Sequence, residues 1–179
     1  MPCVVAARTV AALAPLTRGR VPELQRLVSA SLPMRYGAKF YQSIDQDISQ
    51  LAYLGSPPRL VGAVCAKIEH VEPDVRRAYI MSLTVDPEVR TRGIGSMLLA
   101  DLIGKTTKTP SLSSIALHVQ TNNENAIRLY EGFGFAITET IEGFYQRNVE
   151  DKISYHSDCH VMALELPPWP QRRLAAQQP

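Results

Sequence analysis

Cysteine is scarce in this chain: 179 residues carry only Cys3, Cys65 and Cys159, with no CxxC pair. An odd count without local spacing argues against a disulfide scaffold or a zinc ribbon and fits a reducing compartment. Long apolar runs are missing as well. No stretch approaches the roughly 18 to 20 apolar residues of a membrane-spanning helix, so no membrane partner is expected. Charge of one sign is also lacking, since 19 Lys+Arg face 17 Asp+Glu for a formal net charge of +2. That balance does not suit a protein that grips phosphates for a living, and no specific nucleic-acid partner is expected. Two phosphate-binding signatures fail by a residue each. GxGxxG would need glycine where Leu98 stands, and GxxxxGK[ST] would need it at Leu99 before Gly104-Lys105-Thr106.

What is present is an ordinary globular composition, 45% apolar and 20% charged, of a size for one domain. Residues 1–22 hold Arg8, Arg18 and Arg20 and no acid before Glu23, yet Val4 to Ala12 reads as an apolar first strand rather than a targeting helix. Leu166-Pro167-Pro168-Trp169-Pro170 breaks regular structure, which divides the chain into a domain over 1–166 and a Pro/Gln-rich tail over 167–179. Helices are expected over Pro22–Ala30, Ala38–Ile44, Gly95–Thr106 and Glu124–Tyr130, the last ended by Gly132. Strands are expected over Leu51–Leu54, Leu60–Ile68, Ala78–Val85, Ser114–Val119, Phe135–Ile141 and His160–Leu166, with a turn from His70 to Val75. The order β-α-α-β-β-β-α-β-α-β-β describes an α/β domain on one mixed, mostly antiparallel sheet. Strand alternation would send His156, Cys159 and His160 to different faces, so no metal site is expected.

Arg90-Thr91-Arg92-Gly93-Ile94-Gly95 lies between a strand and a helix. Small residues there bring the backbone close to a ligand, and helix-start N–H groups favour anionic phosphates. Arg-x-x-Gly-x-Gly resembles the coenzyme A pyrophosphate loop of the GNAT acetyltransferases. Downstream, Asn123 to Phe135 matches the second signature of that superfamily, N-x-x-A-x-x-x-Y-x-x-x-G-F. The resemblance covers about residues 4–165 and implies the GNAT fold and acetyl-CoA as co-substrate, with no metal. It assigns Leu83, Val85, Arg90, Thr91, Arg92, Gly93, Ile94, Gly95, Ser96, Asn123 and Tyr130 to the coenzyme site.

Leu32-Pro33-Met34-Arg35-Tyr36, Tyr79-Ile80-Met81-Ser82-Leu83, Leu117-His118-Val119-Gln120 and Gly143-Phe144-Tyr145 resemble N-terminal acetyltransferases that prefer Met followed by an apolar residue. The resemblance implies a narrow substrate site, with Leu32, Pro33, Met34 and Tyr36 as one wall and Phe144 and Tyr145 as the other, joined by Tyr79, Met81 and His118. Burying a Met side chain there gains roughly 1.5–3 kcal/mol. His118, with an ordinary pKa of about 6.5, is the expected base, Tyr79 a water holder or relay, and Tyr130 the acid for the leaving thiolate. N–H groups near Leu83 and Val85 would receive the acetyl carbonyl. This chain departs from its relatives at Leu32, usually Phe, at Phe144, usually Tyr, and at Asn148, usually apolar, and Val149 to Ser157 looks longer than the usual hairpin. The resemblance also implies peptide N-termini of nascent proteins as partners, docking to the NatA complex and the ribosome, and a cytoplasmic location extending to the nucleus. Internal lysines, small-molecule amines and a non-catalytic acetyl-CoA-binding subunit are the alternatives.

Overall fold

A computed structural model describes residues 11–32, 35–144 and 158–167. In chain order the elements are β1 (Ala12–Pro15), α1 (Val21–Ser31), α2 (Ala38–Gln42), β2 (Gln50–Leu54), β3 (Arg59–Glu72), β4 (Val75–Val85), α3 (Ile94–Thr107), β5 (Leu112–Gln120), α4 (Glu124–Gly132), β6 (Ala136–Ile141) and β7 (Cys159–Glu165). This is the expected order. The strands form a seven-stranded sheet in the order β1-β2-β3-β4-β5-β7-β6. Only β4 and β5 run parallel, so the sheet is mixed and mostly antiparallel.

Helix α3 opens at Gly93 and buries Ile94, Leu98, Leu99 and Leu102, residues spaced to share one stripe against the sheet. They join Ala66, Ala78, Ile80, Ile115, Leu117 and Met162 in the larger of two cores. On the opposite face, α1 begins with a proline in its first turn and buries Leu24, Leu27 and Val28. That smaller core adds Leu16, Ile44, Leu51, Leu60, Ala63 and Cys65.

Several boundaries differ from expectation. The strand expected over Val4–Ala12 falls mostly outside the described residues, and β1 spans Ala12–Pro15 instead. Its proline is tolerated because β1 is an edge strand. The turn expected from His70 to Val75 is far shorter. Strand pairing runs through Glu69↔Arg77 and His70↔Arg76 to Glu72↔Val75, where paired polar residues lack the apolar alternation that marks a strand. Helix α4 extends through Gly132, and Gly134, at φ 88°, takes the left-handed turn expected two residues earlier. Cys159 and His160 do alternate: Cys159 is buried, while His160 Nδ1 lies 2.8 Å from Thr140 Oγ1.

Candidate active site

The sheet opens at its centre. Strands β4 and β5 pair from Arg76↔Leu112 to Ile80↔Leu117 and no further. Beyond that point β4 stays with β3 through Leu83↔Val64 and Val85↔Gly62, while β5 stays with β7 through His118↔Val161 and Gln120↔Cys159. Each strand keeps its outer neighbour, and a V-shaped gap forms between them. A β-bulge stands at the fork: Ser82 pairs with Cys65 and Ile80 with Ala66, leaving Met81 between them. The extra residue reverses the alternation. Tyr79 and Met81 lie on the sheet face that carries α1, with Met81 packed in the smaller core, whereas Leu83 and Val85 pack with the core under α3.

The bulge also exposes backbone to the gap. Asp86 N–H donates to Val61 C=O at 2.8 Å, which turns the other side of that peptide, the Val85 carbonyl, away from β3. Arg90 Nε donates to it at 3.1 Å. Because a strand residue directs its N–H and C=O to one side and the side changes at every residue, the Val85 and Leu83 amides share this open edge.

The glycine turn lies at the end of β4. Thr91 and Gly93 both have positive φ, 63° and 80°. Gly93 is the N-cap of α3 and supplies no side-chain acceptor, so the amides of Ile94, Gly95 and Ser96 keep their hydrogen-bonding capacity for a ligand. These amides and the adjacent gap suit an elongated anionic thioester substrate. Arg92 is exposed beside them, whereas Arg90 is committed to Val85 and, at 3.5 Å through Nη2, to the Ser31 carbonyl ending α1. Asn123 caps α4 by accepting from Ala126 N–H at 3.3 Å. Tyr130 is buried in the larger core, its ring 5.5 Å from Phe135.

Tyr79 pairs in register with Ala116, and His118 lies two residues further on β5, so both point to the same face. The Tyr79 hydroxyl and His118 Nδ1 are 2.8 Å apart. Phe144 stacks on the imidazole at 4.5 Å and 13°. Burial, followed by the nearby Arg77 charge, lowers the His118 pKa, while Glu69 and Glu139 act against the shift. The imidazole is therefore more readily neutral than an exposed one, as a proton acceptor must be.

Leu32, Tyr36 and Met81 all pack against the smaller core, with Tyr36 stacked on Phe40 at 4.0 Å. One apolar wall thus gathers residues from the end of α1, the loop before α2 and the β4 bulge. Pro33, Met34, Tyr145, Asn148 and the Val149–Ser157 stretch lie outside the described residues. Cys65 lies wholly buried behind this wall, and burial pushes its thiol up to about 12, which keeps it protonated and without nucleophilic character. A cleft of about 670 Å³ lined by Arg26, Ser31, Arg59, Asp86 and Glu88 contains neither Tyr79 nor His118.

Sequence reasoning passed over three charged residues beside this pair. Glu69 binds Lys67 at 2.8 Å and Arg77 at 2.9 Å, and Lys67 Nζ sits 5.2 Å from the Tyr79 ring centroid. The i,i+2 spacing of Lys67 with Glu69 and of Arg77 with Tyr79 was the available signal, but it becomes a cluster only once the hairpin register is known.

A gap between parallel strands, a phosphate-accepting turn below it and a Tyr–His pair above it describe an acyl-CoA-dependent transferase. Residues 22–135 match the Acetyltransferase (GNAT) family. The chain belongs to that family. More particularly, it is 34% identical over 156 residues to N-alpha-acetyltransferase 50 of Danio rerio, covering 86% of this chain and 88% of the relative. It is 35% identical over 152 residues to the probable N-acetyltransferase san of Drosophila melanogaster, covering 84% and 78%. The solved structure of Arabidopsis thaliana Naa50 in complex with the bisubstrate analogue CoA-Ac-MVNAL superimposes with a TM-score of 0.76 at 34% identity, covering 88% of this chain and 99% of that one.

Proposed function

We propose that this acetyltransferase transfers the acetyl group of acetyl-CoA to the α-amine of protein N-termini and selects Met followed by an apolar residue. The observation that carries the reading is the Tyr79–His118 pair, 2.8 Å apart at the mouth of the gap and next to the apolar wall of Leu32, Tyr36 and Met81. The Arabidopsis relative was solved with an analogue whose peptide begins Met-Val, which supports the same preference here.

Acetyl-CoA supplies an activated thioester carbonyl. The incoming α-amine has an ordinary pKa near 7.7–8.0 and is largely protonated at neutral pH. With the imidazole proton on Nε2, Tyr79 donates its O–H to His118 Nδ1 and takes up the amine proton, directly or through a water. His118 ends with the proton. The amine nitrogen bonds to the acetyl carbon, and the C–S bond breaks. Leu83 and Val85 amides on the open edge of β4 receive the carbonyl oxygen as it gains negative charge. Tyr130 returns a proton to the departing thiolate. Arg92 and the Ile94, Gly95 and Ser96 amides hold the pyrophosphate, with Thr91 and Gly93 shaping the turn. Arg90 ties that turn to α1, and Asn123 sets the start of α4. Pro33, Met34, Phe144 and Tyr145 complete the peptide walls, which leave poor room for a lysine whose chain continues in both directions.

The domain occupies residues 1–166, and 167–179 form a Pro/Gln-rich C-terminal tail. We place the enzyme in the cytoplasm and the nucleus as a NatE-type subunit that docks on the NatA complex and the ribosome. No helix among the described residues is long and apolar enough to cross a membrane. A peptide panel varying the first two residues tests the activity. Met-Leu and Met-Val peptides should be acetylated, and an N-terminally blocked peptide containing lysine should not. Preferential modification of the blocked peptide would favour the lysine reading. Sedimentation with ribosomes and with NatA tests the assembly, and truncation after Leu166 tests the tail.

A further inference from the structure

One face of the sheet carries charge where a core would be expected. Lys67 and Tyr79 are register partners, as are Glu69 and Arg77, so all four side chains project on the face that bears His118. Glu69 accepts from Arg77 Nε at 3.0 Å and from Arg77 Nη2 at 2.9 Å, and its other oxygen meets Lys67 Nζ at 2.8 Å. Lys67 then lies over the Tyr79 ring, whose hydroxyl meets His118. The carboxylate is 24% exposed and both of its oxygens are engaged. Burial alone would raise its pKa, but the Lys67 and Arg77 hydrogen bonds and charges prevail and hold it below the usual value. It therefore stays ionised, and the cluster persists, across neutral pH.

We propose that Lys67, Glu69 and Arg77 form a positioning device for acetyl transfer: Glu69 holds the Lys67 ammonium against Tyr79, which fixes the phenol on His118, and balances the Arg77 charge facing the imidazole. This rests on the reading of His118 as the proton acceptor. The device lies on the far part of β3 and β4, past Leu60, Ala63 and Cys65, which pack in the smaller core. None of the three residues need touch a substrate. Lys67 restrains the ring through a cation–π contact, and the Glu69–Arg77 pair sets the field at the base. Among the described residues, the charged and titratable groups that face His118 are Lys67 and Glu69 on β3, Arg77 and Tyr79 on β4, and Glu139 on β6.

The device predicts opposite effects from its two halves. Glu69→Gln removes a negative charge and leaves the cations unbalanced, so the acid limb of the kcat/KM profile should move to lower pH. Arg77→Gln removes a positive charge, so the limb should move to higher pH. NMR titration of the His118 imidazole in the full-length variants should follow the same two directions. Lys67→Met should lower kcat roughly three- to tenfold, the scale of a lost cation–π contact and ion pair, with the KM for acetyl-CoA unchanged. Lys67→Arg should restore it. Shifts of the imidazole titration in one common direction, or none, would overturn the device, as would a Lys67→Arg enzyme as slow as Lys67→Met. A His118→Ala enzyme with wild-type activity would overturn the catalytic meaning of the cluster. If the imidazole still titrates in opposite directions in the two charge variants, that failure lies with the base and not with the cluster. Thermal melting of each variant separates these outcomes from misfolding.

Discussion

The two faces of the sheet divide the work of the molecule. Under α3 the face is apolar and closed, with Leu98, Leu99, Leu102, Ile115, Leu117 and Met162 all at or below 1% exposure. Under α1 and α2 only the half near β1 and β2 is covered, and the rest carries Lys67, Glu69, Arg77, Tyr79 and His118. The strands β3, β4 and β5 contribute alternate residues to both faces. The closed face supplies cohesion, while the open face trades some burial for groups that can exchange protons.

Substitutions on either face test that division. The largest effect is expected at His118. His118→Ala should lower kcat/KM by about 10²- to 10⁴-fold with little change in melting, measured by steady-state kinetics and calorimetry. As the proposed base, His118 must be neutral to act, and burial lowers its pKa in the fold. Activity should therefore persist below the ordinary imidazole value of about 6.5 and fall only as pH drops through the lowered value. A pH–rate profile of kcat/KM checks this, and an acid limb above the ordinary value would contradict it. Leu98→Ala, on the closed face, should cost about 2–5 kcal/mol in denaturant unfolding and leave the turnover of folded enzyme intact. A loss of turnover without loss of stability would break the comparison.

Gly62 sharpens it further. A Cβ there would stand 3.0 Å from both Ile94 Cγ2 and Leu98 Cδ1, so α3 approaches the sheet as closely as a hydrogen allows. Gly62→Ala should destabilise by about 1–3 kcal/mol, the scale of an overpacked core, and displace the helix whose amides we propose hold the coenzyme. The KM for acetyl-CoA should rise with it, measured at fixed peptide. The smallest effect is expected at Phe144, which stacks on His118. Phe144→Tyr adds a hydroxyl able to bond the peptide backbone and should tighten peptide binding by about 0.5–1.5 kcal/mol, seen as a lower peptide KM.

Much of this was legible before the fold. Helical spacing located α1 and α3, and the paired signatures around Gly93 and Asn123 pointed to the coenzyme site. Tyr79 and His118, on different strands, stood out by likeness to relatives, and the structure brings them to 2.8 Å. Other features were hidden for physical reasons. Gly132 and Gly134 are equally good helix stops by composition, and only the backbone shows which one turns left-handed. Arg90 looked like a phosphate ligand, yet it spends two donors on the Val85 and Ser31 carbonyls.

Periodicity was enough to define an α/β domain, and local turn chemistry an anion-binding loop, because both are properties of neighbouring residues; acetyl transfer came from the likeness of two spaced motifs to a known family. The gap between β4 and β5, the reversal at Met81 and the cluster of Lys67, Glu69 and Arg77 depend on which strands pair and in which register. Those choices belong to the folded sheet, since each is made by contacts between residues far apart in the chain.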